Sequence, residues 1–335
     1  MKKILFALLA ATMLIGCQEK KDDNVIRIGA AIALTGYGAD FGESEYNAIQ
    51  MLKELYKDAN VKFYIEDTAS DIRTGINAIN KLININNVDI IYCELSPIVY
   101  ATNNIIYENN KILIAPVYLE SLTENPLAYR NLPSADQENI CLIQYMRDHQ
   151  IKHDKIVILY SNDVFGQTCK DSFTRLINDE ESLIEAIAIN DNSLKDVCTK
   201  VIGINADVVY IGSMSENLGL LIRDLRQLGY NGEIITTDAY SYNYINEKAG
   251  ELGKDVIYID FANSNSYEQF KTDYKRRFNK DCVPSAMLCY DGISSIVAAL
   301  TQDITLNEKY YHKGIIDTLI IQQQEIIYPI EAKRW

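Results

Sequence analysis

The chain is short of positive charge, with 32 Lys and Arg against 46 Asp and Glu and a formal net charge of −14. That balance repels nucleic acid and anionic headgroups, so no nucleic-acid partner is expected. Metal motifs are lacking too: no CxxC pair occurs, and His149, His153 and His312 supply no helix-spaced metal motif. There is no GxSxG elbow, no HExxH, no P-loop and no glycine-rich dinucleotide fingerprint after a strand, so neither an enzyme nor a cofactor is expected. Internal repeats and low-complexity tracts are absent. After the first seventeen residues no apolar run reaches the ~18 residues of a membrane-spanning helix.

What is present begins at the N-terminus. Lys2 and Lys3 precede an apolar run from Ile4 to Ile15, then Gly16 and Cys17. Charged start, short apolar core and small residue describe a secretory signal peptide over 1–16. As a helix the run would reach only about 18 Å, against a hydrocarbon core of roughly 30 Å. The ending Leu14-Ile15-Gly16-Cys17 resembles the lipobox of bacterial lipoproteins, which implies cleavage before Cys17 and a diacylglyceryl group on its sulfur. An ordinary signal peptide with an incidental cysteine is the alternative. Residues 17–24 (CQEKKDDN) then read as a polar tether. The expected location is outside the cytoplasm, held to a bacterial membrane by lipid, with inner or outer membrane left open.

Six further cysteines (Cys93, Cys141, Cys169, Cys198, Cys282 and Cys289) allow fifteen disulfide connectivities. Their apolar settings favour mostly unpaired, buried thiols. Along the chain, β-rich runs alternate with amphipathic ones. Strands are expected at 25–34, 61–66, 88–93 and 112–115, with a helix capped by Asp71 that buries Ile72, Ile76, Ile79 and Ile83. After a loop holding Pro126 and Pro133 the alternation restarts, with strands at 156–160, 183–189, 207–212 and 233–236. Aromatic spacing at Tyr267, Phe270, Tyr274 and Phe278 marks one late helix, and the apolar run 286–300 another. Two runs of βαβ units separated near 131–136 imply two parallel-sheet α/β lobes.

Four segments in this order resemble the type I periplasmic binding proteins, in the branch that binds leucine, isoleucine and valine. They are Ile26–Gly42 (IRIGAAIALTGYGADFG), Glu66–Asp71 (EDTASD) with Val88–Ile91, Lys155–Gly166 (KIVILYSNDVFG), and Pro284–Leu300 with Tyr290-Asp291. The resemblance implies two doubly wound lobes joined by a hinge of three crossovers, with ligand held between them. Lobe 1 would be 24–132 plus 262–309, and lobe 2 would be 133–261 plus 310–335. The tail IIDTLIIQQQEIIYPIEAKRW departs from the family's usual ending, so the third crossover is expected to be shortened or altered.

The same resemblance nominates pocket residues. The loop after the third strand brings Leu95, Ser96 and Pro97, with proline where the family offers a hydroxyl. The loop after the fourth strand brings Val117, Tyr118 and Leu119. Phe41 and Phe165 match pocket aromatics, Met214 stands where an aromatic is usual, and Asp238 matches the acid that pairs with a ligand ammonium. Phe41 and Phe165 could instead pack the lobe faces, Asp238 could cap a turn, and the tyrosines at 240, 242 and 244 could rim the cleft or stand idle. The groups that hold an amino acid's carboxylate are thus weakened, since Pro97 lacks even an N–H. A lipid-anchored solute-binding subunit of an ABC importer is expected, with a small amino-acid-like or related polar solute and an inner-membrane permease as partners. The alternative is an envelope lipoprotein that keeps the fold as an interaction, activator or ligand-sensing module.

Overall fold

Strand β1 (Ile26–Ile32, IRIGAAI) has its last five residues buried on both faces, as a strand flanked by neighbours and helices must be. It lies one strand in from the edge of an eight-stranded sheet of a computed structural model that describes residues 25–119, 122, 124–177, 183–189, 193–306 and 308–335. The signal segment 1–16, Cys17 and the tether 17–24 lie outside the described residues. No helix among the described residues is long and apolar enough to cross a membrane.

The first sheet continues with β2 (Val61–Asp67), β3 (Ile90–Cys93), β4 (Ile112–Ala115) and β5 (Ala128–Arg130), all parallel, in the order β5-β4-β3-β1-β2. Helices α1 (Ala39–Leu55), α2 (Ile72–Asn84) and α3 (Ser96–Glu108) connect them. The Asp71 carboxylate accepts from Thr74 N at 2.8 Å and starts α2 as expected. The buried stripe of α2 is Gly75, Ala78, Ile79, Leu82 and Ile83, an i, i+3, i+4, i+7, i+8 face. Ile79 and Ile83 belong to it, whereas Ile72, in the first turn, is 46% exposed.

The second sheet holds β6 (Lys155–Tyr160), β7 (Leu183–Ala188), β8 (Val208–Gly212), β9 (Glu233–Thr236) and β10 (Ile257–Phe261), parallel in the order β10-β9-β8-β6-β7. Its helices are α4 (Ala135–Asp148), α5 (Val164–Ile177), α6 (Leu194–Ile204), α7 (Asn217–Gln227) and α8 (Asn243–Ala249). Helices α9 (Asn265–Phe278) and α10 (Pro284–Thr301) return to the first lobe, where α10 packs along α1.

The tail divides between the lobes. Strands β11 (Tyr310–Lys313), β12 (Thr318–Gln322) and β13 (Glu325–Ile327) extend the first sheet, with β13 beside β5, where Arg130 and Glu325 form an ion pair at 2.9 Å. Only β14 (Ile330–Arg334) joins the second sheet, antiparallel to β10. The sequence places all of 310–335 in lobe 2; backbone pairing instead puts 310–327 with the first sheet. The chain therefore passes between sheets three times, at 131–134, 262–264 and 328–329. The third passage is two residues long. All six described cysteines are free thiols, four of them buried.

Candidate ligand-binding site

In an open α/β sheet the ligand crevice forms at the carboxyl ends of strands where the winding reverses. The first sheet reverses between β1 and β3, the second between β6 and β8. The loops leaving these four strands face one another, and between them lies a cavity of about 620 Å³. Both lobes line it.

Each lobe presents an aromatic by the same local device. Gly42 and Gly166 sit so close to the preceding strand loop that an added Cβ would come within 2.1 Å of Ala33 O and of Ser161 O respectively. Only glycine lets α1 and α5 approach that closely, and the preceding residues, Phe41 and Phe165, then line the cavity. Phe165 meets the ring of Tyr118 edge-on at 4.7 Å, and Phe41 meets Tyr242 at 5.7 Å and Tyr244 at 6.4 Å. Aromatic contacts thus bridge the lobes at two points.

Nine of the ten residues nominated from sequence line this one cavity: Phe41, Leu95, Ser96, Pro97, Val117, Tyr118, Leu119, Phe165 and Met214. Ser96 and Pro97 form the first turn of α3 rather than a free loop. Of the tyrosine cluster, Tyr242 lines the cavity; Tyr240 is fully buried and donates to Gly253 O at 3.2 Å.

Asp238 is placed differently. It opens a 3-10 turn over 238–241 and is buried behind Tyr118 instead of lining the cavity. The Tyr118 hydroxyl donates to Glu138 Oε1, with Asp238 Oδ1 at 3.3 Å, and Asp238 N donates to Glu138 Oε2 at 3.1 Å. Burial pushes both carboxyls up, Asp238 to about 7 and Glu138 well above the usual range, the latter raised further by the Asp238 charge. Asp238 thus belongs to a buried network between the lobes, Tyr118 from the first lobe and Glu138 from the second, with its own Oδ2 left without a partner among the described residues.

Two acids that sequence did not single out take the cavity floor. Glu45, from α1, and Glu94, after β3, both line it and are 1% and 3% exposed. Glu45 Oε1 accepts from Tyr92 OH at 2.7 Å, and Glu94 Oε1 accepts from Ala33 N at 2.5 Å. Burial raises both carboxyls, Glu94 to about 7, and the Glu94 charge raises Glu45 further. Cys289, whose thiol donates to Glu45 O at 3.8 Å, and Cys93 lie in the same neighbourhood, their thiols pushed up by burial and by these acids. Ser285 Oγ is buried without a hydrogen-bond partner among the described residues, and the Glu45 carboxyl faces that of Glu94, which it can bond only by sharing a proton. The remaining wall is chiefly apolar, with Leu132 and Leu288 completing it.

Two α/β lobes with a cavity at both switch points define a cleft-type solute-binding protein. The chain belongs to the periplasmic binding protein family, whose sequence profile matches residues 25–307. Its likeness in sequence lies with the type I, leucine/isoleucine/valine branch. The Leu/Ile/Val-binding protein homolog 2 of Brucella abortus (strain 2308) is 27% identical over 267 residues, covering 75% of this chain and 70% of that one. The solved leucine-binding protein LivK of Thermotoga maritima superposes with a TM-score of 0.77 at 18% identity, covering 93% of this chain and 98% of that one. A solute-binding protein of an ABC transporter from Rhodopseudomonas palustris BisB5, solved with 3,4-dihydroxybenzoic acid, gives a TM-score of 0.79 at 17% identity over 93% of each chain. The family is one of binding proteins, not enzymes.

Proposed function

We propose that this chain is the lipid-anchored, extracytoplasmic solute-binding subunit of an ABC importer, tethered through Cys17 and delivering its solute to an inner-membrane permease. The observation that carries the reading is the cavity of about 620 Å³ that both lobes line at their switch points. That volume suits a small molecule, and a pocket split between two lobes can enclose its ligand by hinge closure. Phe41, Leu95, Ser96, Pro97, Val117, Tyr118, Leu119, Phe165 and Met214 are the side chains proposed to meet it. Relatives named for leucine, isoleucine and valine support a solute with an amino-acid-like apolar body, as does the chiefly apolar wall.

The test is mass spectrometry of small molecules released when the purified protein is denatured, followed by a thermal-shift screen of amino acids, amines, amides, sugars and nucleosides. A solute that binds only the native state raises the melting temperature in a saturable way. No released molecule and no shift across the screen would overturn the importer reading.

A further inference from the structure

We infer that the cleft takes a solute whose apolar body ends in a cationic, hydrogen-bond-donating nitrogen and carries no carboxylate, with that nitrogen seated on Glu45, Glu94 and Ser285 in the first lobe. The inference rests on the solute-binding function proposed above and names its substrate class.

Three observations meet at the cavity floor. Glu45 and Ser285 are 1% and 5% exposed and line the cavity; Ser285 Oγ lacks a hydrogen-bond partner among the described residues, and Glu45 Oε2 has none except the neighbouring Glu94 carboxyl, which it can bond only through a shared proton. Two buried carboxyls held together by one proton can exchange it for N–H donors that arrive from outside, and the unpartnered Ser285 hydroxyl beside them can accept one more. Glu94 stands beside Glu45, so two carboxyls face whatever enters. A quaternary ammonium could balance charge but has no N–H to give, so a protonated amine fits better.

The same cavity is poor at holding an anion. Among the described residues no Lys, Arg or His lines it, whereas Glu45, Glu94 and Asp163 do. A helix N-terminus ordinarily offers free N–H groups to a carboxylate. In α3 that offer is largely withdrawn: Pro97 has no N–H, and Ile98 N and Val99 N both donate to Leu95 O, at 2.9 and 3.0 Å. A ligand carboxylate would be buried beside the acid pair, with the N–H and hydroxyl of Ser96 as the donors left in that first turn.

Glu94 is pushed up to about 7 and Glu45 is raised well above the usual range, so near neutrality the empty pair holds at least one proton. An arriving ammonium takes over the balancing charge, and the displaced proton leaves to solvent.

The experiment uses the full chain after Cys17 and calorimetric titration at pH 7 with two matched sets. One is 3-methylbutylamine, its N-trimethyl derivative, L-leucine and 4-methylpentanoate; the other is 2-phenylethylamine, L-phenylalanine and 3-phenylpropanoate. The amines are expected to bind at least tenfold more tightly than the amino acids, the carboxylates or the trimethylated compound. Their binding heat should vary with buffer ionisation as release of a proton requires. Glu45→Gln and Glu94→Gln should each weaken amine binding by about 30-fold or more, the loss expected for a buried charged partner. Amino acids or carboxylates that bind as tightly as the amines overturn the inference while leaving solute binding intact. So does a solute from the wider screen that lacks a cationic nitrogen. Silence from every solute in both screens sinks this inference and the importer reading together.

Discussion

The Tyr328 hydroxyl donates to Asn131 Oδ1 at 2.6 Å, joining the third crossover to the first. Asn131 Nδ2 donates in turn to Leu288 O at 2.8 Å, and the Phe261 ring, at the second crossover, meets Tyr328 edge-on at 5.5 Å. All three passages between the lobes thus converge on one buried tyrosine. Tyr328→Phe leaves Asn131 Oδ1 without its donor, and should lower stability by about 1–3 kcal/mol. Chemical unfolding of the purified variant checks this; an unchanged midpoint would remove the bond from the hinge.

Gly42→Ala and Gly166→Ala each force a Cβ to within 2.1 Å of a backbone oxygen. Neither contact is with a flexible side chain, so the helix must shift, at a cost of about 1–3 kcal/mol. Both variants should melt below the parent protein, and both should bind solute less well because Phe41 or Phe165 moves with its helix. A melting temperature equal to the parent's in either case contradicts this account.

Stability should fall as pH rises from mildly acidic to neutral. Burial raises Glu45, Glu94, Glu138, Asp238 and Asp291, with Glu94, Asp238 and Asp291 pushed to about 7. Unfolded carboxyls titrate near roughly 4. From about pH 4 up to about 7 the native state keeps protons that the unfolded chain has lost, and native stability is lost through that window. His312, lowered by burial, works the other way near its own titration, while Asp67 and Asp207, held below the usual range, matter only in stronger acid. The urea midpoint should therefore be higher at pH 5 than at pH 7.5. Glu138→Gln should shrink the difference.

The β12–β13 hairpin turns on Gln323 and Gln324, with φ of 49° and 66°. Two residues of positive φ suit Asn-Gly, and side chains such as glutamine resist that region at roughly 1–2 kcal/mol each. Replacing the pair by Asn-Gly should raise stability by about 1 kcal/mol. A loss of stability on thermal unfolding would show that the glutamines make a compensating contribution.

Phe165→Ala should weaken solute binding about tenfold or more, as truncating a buried aromatic anchor does. Asp238→Asn should leave affinity nearly unchanged, because Tyr118 stands between it and the cavity, and should alter stability instead. Titration of both variants with one solute separates the two; a large affinity loss in Asp238→Asn would place that carboxyl at the ligand.

The alternation of strands and helices was legible because parallel strands buried on both faces read as apolar runs, and β9 over 233–236 has the bounds expected of it. Helix α4 was not. Its buried face includes Glu138 and Asn139, which break the apolar periodicity, and the surviving signal is the capping box of Ser134 and Gln137. The tail hairpin was hidden for a related reason, since a Gln-Gln turn carries none of the usual turn residues. Pocket aromatics could be placed from their motifs, since Phe41 and Phe165 each precede a glycine that the lobe packing demands. Glu45 and Glu94 could not, because a lone glutamate in a helix or after a strand reads as a solvated face. Only the reversal of strand order turns them inward. Asp238 follows β9 as expected, yet the 3-10 turn over 238–241 sets its carboxyl behind Tyr118.

The free thiols have a practical consequence. Only the thiolate attacks a disulfide or takes up an oxidant readily, and every described cysteine has its thiol pushed upward by burial. The described fold contains no cross-link to form, shuffle or lose. Unfolding exposes these thiols, so refolding from urea should give its full yield only with reductant present, whereas the native protein should tolerate oxidising surroundings without becoming covalently tied to its neighbours.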